Sequence, residues 1–157
     1  MTEKPPALRP ADFDLELFLP YRLSVLTNIV SAGLAGQYRA HHPLTVTEWR
    51  ILAVLGRFPG LVASEVCART AMDKVAISRG VRSLMEKGLL ERRTDHGDRR
   101  RQRLFIAAGT GERVLRDVVP VALLYERRLL EALDEGELEI LSGLVDKLQR
   151  RAEKLAD

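Results

Sequence analysis

Lys74, Ser78 and Arg82 recur every four residues in the stretch 73–103, DKVAISRGVRSLMEKGLLERRTDHGDRRRQR, with Arg79 beside them. At helical spacing they share one face, and their cationic and hydroxyl groups suit hydrogen bonds to phosphate oxygens and base edges. A second basic group, Arg99, Arg100, Arg101 and Arg103, follows among the turn formers Asp95, Gly97 and Asp98. The cations are concentrated here. Residues 61–108 hold 11 Lys+Arg against 6 Asp+Glu, whereas the rest of the chain holds 14 against 16. A local excess of this kind is the electrostatic footprint expected of a nucleic-acid partner. An isolated charge run usually means only a solvated face; a helix face and an adjoining turn charged together favour contact.

The elements that carry these groups follow from the pattern. Val75, Ile77, Val81, Leu84 and Met85 give the helix an apolar stripe, Asp73 supplies its N-cap and Gly88 stops it. The period then changes, and 89–93 and 102–106 read as two short strands around a turn at 94–101. A basic helix followed by an arginine-tipped hairpin is the layout of a winged helix-turn-helix. Its helix fits the major groove and its hairpin lies over backbone and minor groove. Upstream, Thr45 or Thr47 opens the helix TEWRILAVLGRF, with Trp49, Leu52, Ala53 and Leu55 towards a core. Ser64 caps the short piece EVCARTA, and a turn at 71–72 leads into the basic helix.

The outer segments are helical as well. Residues 1–12 contain three of the seven prolines and read as a loose, flexible arm. In 14–41, Leu23, Leu26, Ile29, Val30, Leu34 and Tyr38 line one side, with Pro20 in the first turn. A helix over 112–133 is bent by Pro120, and Asp134 caps a last helix whose Leu138, Leu141, Leu144, Val145 and Leu148 repeat at helical spacing. These stripes are too long for the small core to cover. The fold expected is therefore mostly α with a small β-hairpin wing, a winged helix-turn-helix with N- and C-terminal dimerisation helices. Residues 13–157 form one domain, with the core at about 44–108 and the dimerisation helices at about 14–41 and 112–156. A two-fold homodimer would present two basic helices to successive major-groove faces.

Composition narrows the function. Aromatics are only 5%, which argues against a single-strand binder built on stacking platforms. No apolar run reaches the roughly 20 residues of a membrane span, and the N-terminus has no apolar signal region. A single cysteine, Cys67, excludes an internal disulfide framework; it reads as a small core residue, with a redox sensor as the alternative. The cytoplasm is the natural compartment. His41, His42 and His96 lack the spaced partners of a metal site, and no nucleophile elbow or phosphate-cradling loop occurs. Neither a metal, a cofactor nor a catalytic residue is expected.

The phrases LTVTEWRILAVLGRFPG, EVCARTAMDKVAISRGVRSLMEKGLLERR and DHGDRRRQRLFIAAGTGERVL resemble the MarR family of bacterial winged-helix repressors. The resemblance covers about 20–155, and the run through EKGLL into Asp98-Arg99-Arg100 is its most specific part. It implies that Asp98 orients Arg100 for insertion into the minor groove, where a narrow groove concentrates negative potential. It places Lys74, Ser78, Arg79 and Arg82 on DNA. Arg99, Arg101 and Arg103 either add phosphate contacts or remain solvated. The run Ala108-Gly109-Thr110-Gly111 departs from the family's usual helix opening, so Thr110 is the expected cap. Relatives of this type commonly hold a small aromatic or phenolic effector between the dimerisation helices and the core. Here Tyr38, Arg39, His41, His42 and Trp49 gather at that junction. A packed hinge is the more economical reading of them, and a pocket for an aromatic carboxylate the alternative. The function implied is that of a ligand-responsive repressor, homodimeric on a pseudo-palindromic double-stranded DNA operator. An activator without an effector, an architectural DNA binder and a protein-interaction module are the rivals.

Overall fold

A computed structural model describes Arg9, residues 13–94, Gly97 and residues 101–156. Among the described residues six helices and one hairpin follow in order: α1 (Leu19–Tyr38), α2 (Val46–Arg57), α3 (Ala63–Thr70), α4 (Lys74–Glu86), β1 (Leu90–Thr94), β2 (Gln102–Ile106), α5 (Thr110–Leu130) and α6 (Glu135–Ala156). The expected mostly helical fold with a two-stranded wing is the one found. The arm at 1–12 lies outside the described residues, apart from Arg9.

Helices α2, α3 and α6 start with the same device. A glutamate three residues past the N-cap turns back to accept the N-cap amide: Glu48 from Thr45 at 2.7 Å, Glu65 from Val62 at 2.8 Å and Glu137 from Asp134 at 3.0 Å. Each satisfies a donor the helix cannot use. Thr45 and Asp134 cap as expected. Ser64 does not, because α3 begins two residues earlier than that cap requires, at Ala63, with Val62 as N-cap. Nor does Thr110. Gly109 occupies the cap position of α5, and the Thr110 hydroxyl instead donates to the Gly88 carbonyl at 2.6 Å. That bond ties the start of α5 to the end of α4. Helix α5 runs on through Pro120 to Leu130.

The core lies among α2, α3, α4 and the hairpin. Ile51, Leu52 and Leu55 of α2, Val66 of α3, Ile77 and Leu84 of α4 and Leu104 of β2 are almost wholly buried. Helix α4 meets α2 at Gly80, where a Cβ would come within 2.6 Å of Ile51 Cδ1 and 3.2 Å of Thr47 Cγ2. Only a residue without a side chain lets the two helices approach this closely. The hairpin pairs in antiparallel register, Leu90 opposite Ile106 and Thr94 opposite Gln102. A bridge between Leu61 and Leu104 fastens β2 to the loop before α3. Arg103 Nη1 adds a bond to the Gly60 carbonyl at 2.9 Å, so this arginine anchors the base of the wing. It is half-buried and bonded, not a freely solvated wing residue.

The outer helices are covered very differently. Ala35 and Tyr38 are the buried residues of α1, and none of α6 is buried. In α6, Ile140, Leu144 and Val145 are 64%, 51% and 50% exposed, figures far above those of a settled apolar face. In α1, Leu23, Leu26 and Ile29 are likewise open.

Candidate nucleic-acid interface

Helix α4 starts on Asp73, whose Oδ1 accepts the Ala76 amide at 2.9 Å, and ends before Gly88, which has φ +68°. Its residues separate cleanly by face. Ile77, Gly80, Val81 and Leu84, at i, i+3, i+4 and i+7, are buried. Val75, Ser78, Arg79 and Arg82 repeat the same spacing two residues earlier and are all exposed, as is Lys74. Two residues turn a helix through about 200°, so the two rows are back to back. The cationic face is thus held outward by the packing of the other one. Val75 departs from expectation. It is 58% exposed, outside the apolar stripe to which its type assigned it.

Of the wing residues, Asp98, Arg99 and Arg100 lie outside the described residues, and Arg101, just before β2, is exposed. Arg93 on β1 stacks over the Phe105 ring at 4.4 Å and pairs with Glu91. These contacts stiffen the stem that carries the wing.

One residue that sequence reasoning overlooked holds α4 to α2. Glu48 is only 2% exposed although charged. Its Oε1 accepts the Ser83 hydroxyl and the Lys87 ammonium, each at 2.7 Å, and its Oε2 accepts the Thr45 amide. Lys87 also donates to the Pro43 carbonyl at 3.0 Å. Burial opposes ionisation of the Glu48 carboxyl, but the bonds from Lys87, Ser83 and Thr45 outweigh it and hold its pKa below the ordinary value. The signal available in the sequence was the Thr45–Glu48 spacing of a capping box, which gives no hint of burial.

The residues proposed for a ligand do not form one group. Trp49 lines a cavity of about 450 Å³ with Ala53, Gly56, Arg57, Leu115 and Leu123, between α2 and α5. Tyr38 and His41 line another, of about 380 Å³, with His42, Asp117 and Val118. There His42 Nε2 sits 3.0 Å from Asp117 Oδ2. Arg39 is exposed and lines neither of these cavities. The Tyr38 and Trp49 rings lie 6.0 Å apart. The Tyr38 hydroxyl is buried and has no hydrogen-bond partner among the described residues, and burial pushes the phenol up. The cation beside the apolar cavity is Arg57, overlooked in the sequence although Trp49, Ala53, Gly56 and Arg57 share one face of α2. Cys67 is half-buried and packs against the core. Among the described residues no group of His, Cys, Asp and Glu is placed to hold a metal ion. No described helix is long and apolar enough to cross a membrane.

A hairpin after a three-helix unit whose last helix turns a basic face outward defines a winged helix-turn-helix. Residues 42–101 match the model of the MarR family, a span that takes in α2 to the wing. A putative transcriptional regulatory protein for the hcr operon of Thauera aromatica is 26% identical over 147 residues, covering 82% of this chain and 88% of that protein. MarR, in its crystal structure, is 26% identical with a TM-score of 0.75, over 91% of this chain and 96% of that one. A MarR/EmrR family regulator from Acinetobacter sp. ADP1 is 24% identical with a TM-score of 0.82, over 90% and 99%. The chain thus resembles MarR-family transcriptional regulators, through its winged core in the family model and over most of its length in these relatives. The repressor CouR, solved bound to a 23-mer DNA duplex, shares the fold at 20% identity and a TM-score of 0.75, over 86% and 94%.

Proposed function

We propose that this regulator is a cytoplasmic, homodimeric repressor that binds a pseudo-palindromic DNA operator and releases it when a small aromatic effector binds. The observation that carries the reading is the back-to-back division of α4, with Ile77, Val81 and Leu84 buried and Lys74, Ser78, Arg79 and Arg82 exposed. A face built this way enters a major groove without rearrangement. Residues 13–157 act as one domain, with Asp98, Arg99, Arg100 and Arg101 forming the wing's contribution. The binding of a duplex by CouR, a protein of the same fold, supports the choice of partner. The dimer rests on the open apolar faces of α1 and α6.

The interface is tested by Arg79→Ala with Arg82→Ala. Both side chains are exposed, so the unfolding midpoint should stay put while duplex affinity falls. Where both contact phosphate, the salt slope drops by about 2; where either reads a base, discrimination relaxes at that position. Unchanged affinity and slope would remove α4 from the interface.

For the effector, the cavity between α2 and α5 has the right character, apolar walls with Arg57 beside them. An aromatic carboxylate such as salicylate is expected to weaken duplex binding at millimolar concentration. Fluorescence anisotropy of a labelled duplex reads this directly, and affinity indifferent to the ligand would contradict it.

A further inference from the structure

Val75 is the one large apolar side chain on the outward row of α4, and nothing in the fold accounts for it. It is 58% exposed, while the apolar residues two and six positions later, Ile77 and Val81, are buried. The i, i+3, i+4, i+7 spacing puts it in line with Ser78, Arg79 and Arg82. A β-branched residue has lower helix propensity than the long polar residues that usually fill an exposed position, so it gains the helix nothing there. Its conformation is nevertheless well held. The Asp73 carboxylate fixes the first turn through the Ala76 amide at 2.9 Å. Within a helix a valine has one dominant χ1 well, which points its two methyls in a set direction.

Resting on the proposed DNA-binding function, we infer that Val75 is a specificity-determining residue that reads the C5-methyl of a thymine in the operator. In a major groove the base edges offer hydrogen-bond donors and acceptors, and the thymine methyl is the one apolar group among them. Val75 has no hydrogen-bonding atom, so on a face otherwise made of cationic and hydroxyl groups it can select only that feature. Ser78, Arg79 and Arg82 serve phosphates and polar edges; Val75 supplies the apolar contact they cannot.

The test uses a duplex selected by the full-length protein from a random pool, with its thymines replaced singly by deoxyuridine. This removes the methyl and keeps base pairing. Wild type should lose about fourfold in affinity at one thymine of each half-site, the value of one buried methyl group. Val75→Ala should bind the parent duplex about fourfold more weakly and become indifferent to deoxyuridine at that same position, with its unfolding midpoint unchanged or slightly raised. If wild type shows no sensitive thymine, or Val75→Ala keeps the same sensitivity, the inference is overturned while DNA recognition stands. If the pool yields no preferred duplex, the DNA-binding reading falls and takes this inference with it.

Discussion

Lys87→Met is expected to lower the unfolding free energy by about 3–5 kcal/mol, because it strands the Glu48 carboxylate in the core without its cation. Glu48 is 2% exposed and Lys87 35%, so the penalty falls on the carboxylate, which cannot reach water. Glu48→Gln should cost less, since the freed ammonium can turn outward. The pH dependence separates the two. In the wild type the folded pKa of Glu48 lies below its ordinary 4.5. Its contribution is therefore fully present above that range and is lost as pH falls through the folded value. In Lys87→Met the same carboxyl is pushed upward, so acid neutralises the stranded charge and the gap to wild type narrows as pH falls. Urea unfolding at neutral and mildly acidic pH measures this. A gap that stays constant, or a loss under 1 kcal/mol, would mean the pair is not the tie between α2 and α4.

The second large effect concerns the dimer. Ending the chain after Leu133 removes α6, none of whose residues is buried, so the winged core should still fold. Without the second copy each half-site is bound alone and the gain from effective concentration disappears. Affinity for a two-half-site duplex should then fall by about 10²–10⁴-fold, with a monomeric mass in sedimentation. A shortened protein that stayed dimeric and tight-binding would show that the open stripe of α6 serves something else.

Much of this was legible because local signals agreed. Asp73, the 3.6-residue recurrence of Ile77, Val81 and Leu84, and Gly88 mark the ends and inner face of α4. The switch to period two at Leu90 then marks the wing. What was not legible depends on residues far apart in the chain. Glu48 shows only its spacing from Thr45 until Ser83 and Lys87, 35 and 39 positions later, come to its other oxygen. Arg103 reads as one more wing cation until Gly60 is seen to receive it. Val75 is apolar and close to the stripe in sequence, yet the two helical steps from it to Ile77 turn through about 200° and put it on the far side. The ligand group divides for a related reason: nearness in sequence does not say that Tyr38 lines one cavity and Trp49 another.

The most direct measurement is competition between a selected duplex and its scrambled counterpart for the full-length protein, repeated across salt concentrations. The account predicts a preference of about 10³-fold or more, with affinity falling steeply as salt rises. Equal binding to both duplexes, or to neither, would contradict it.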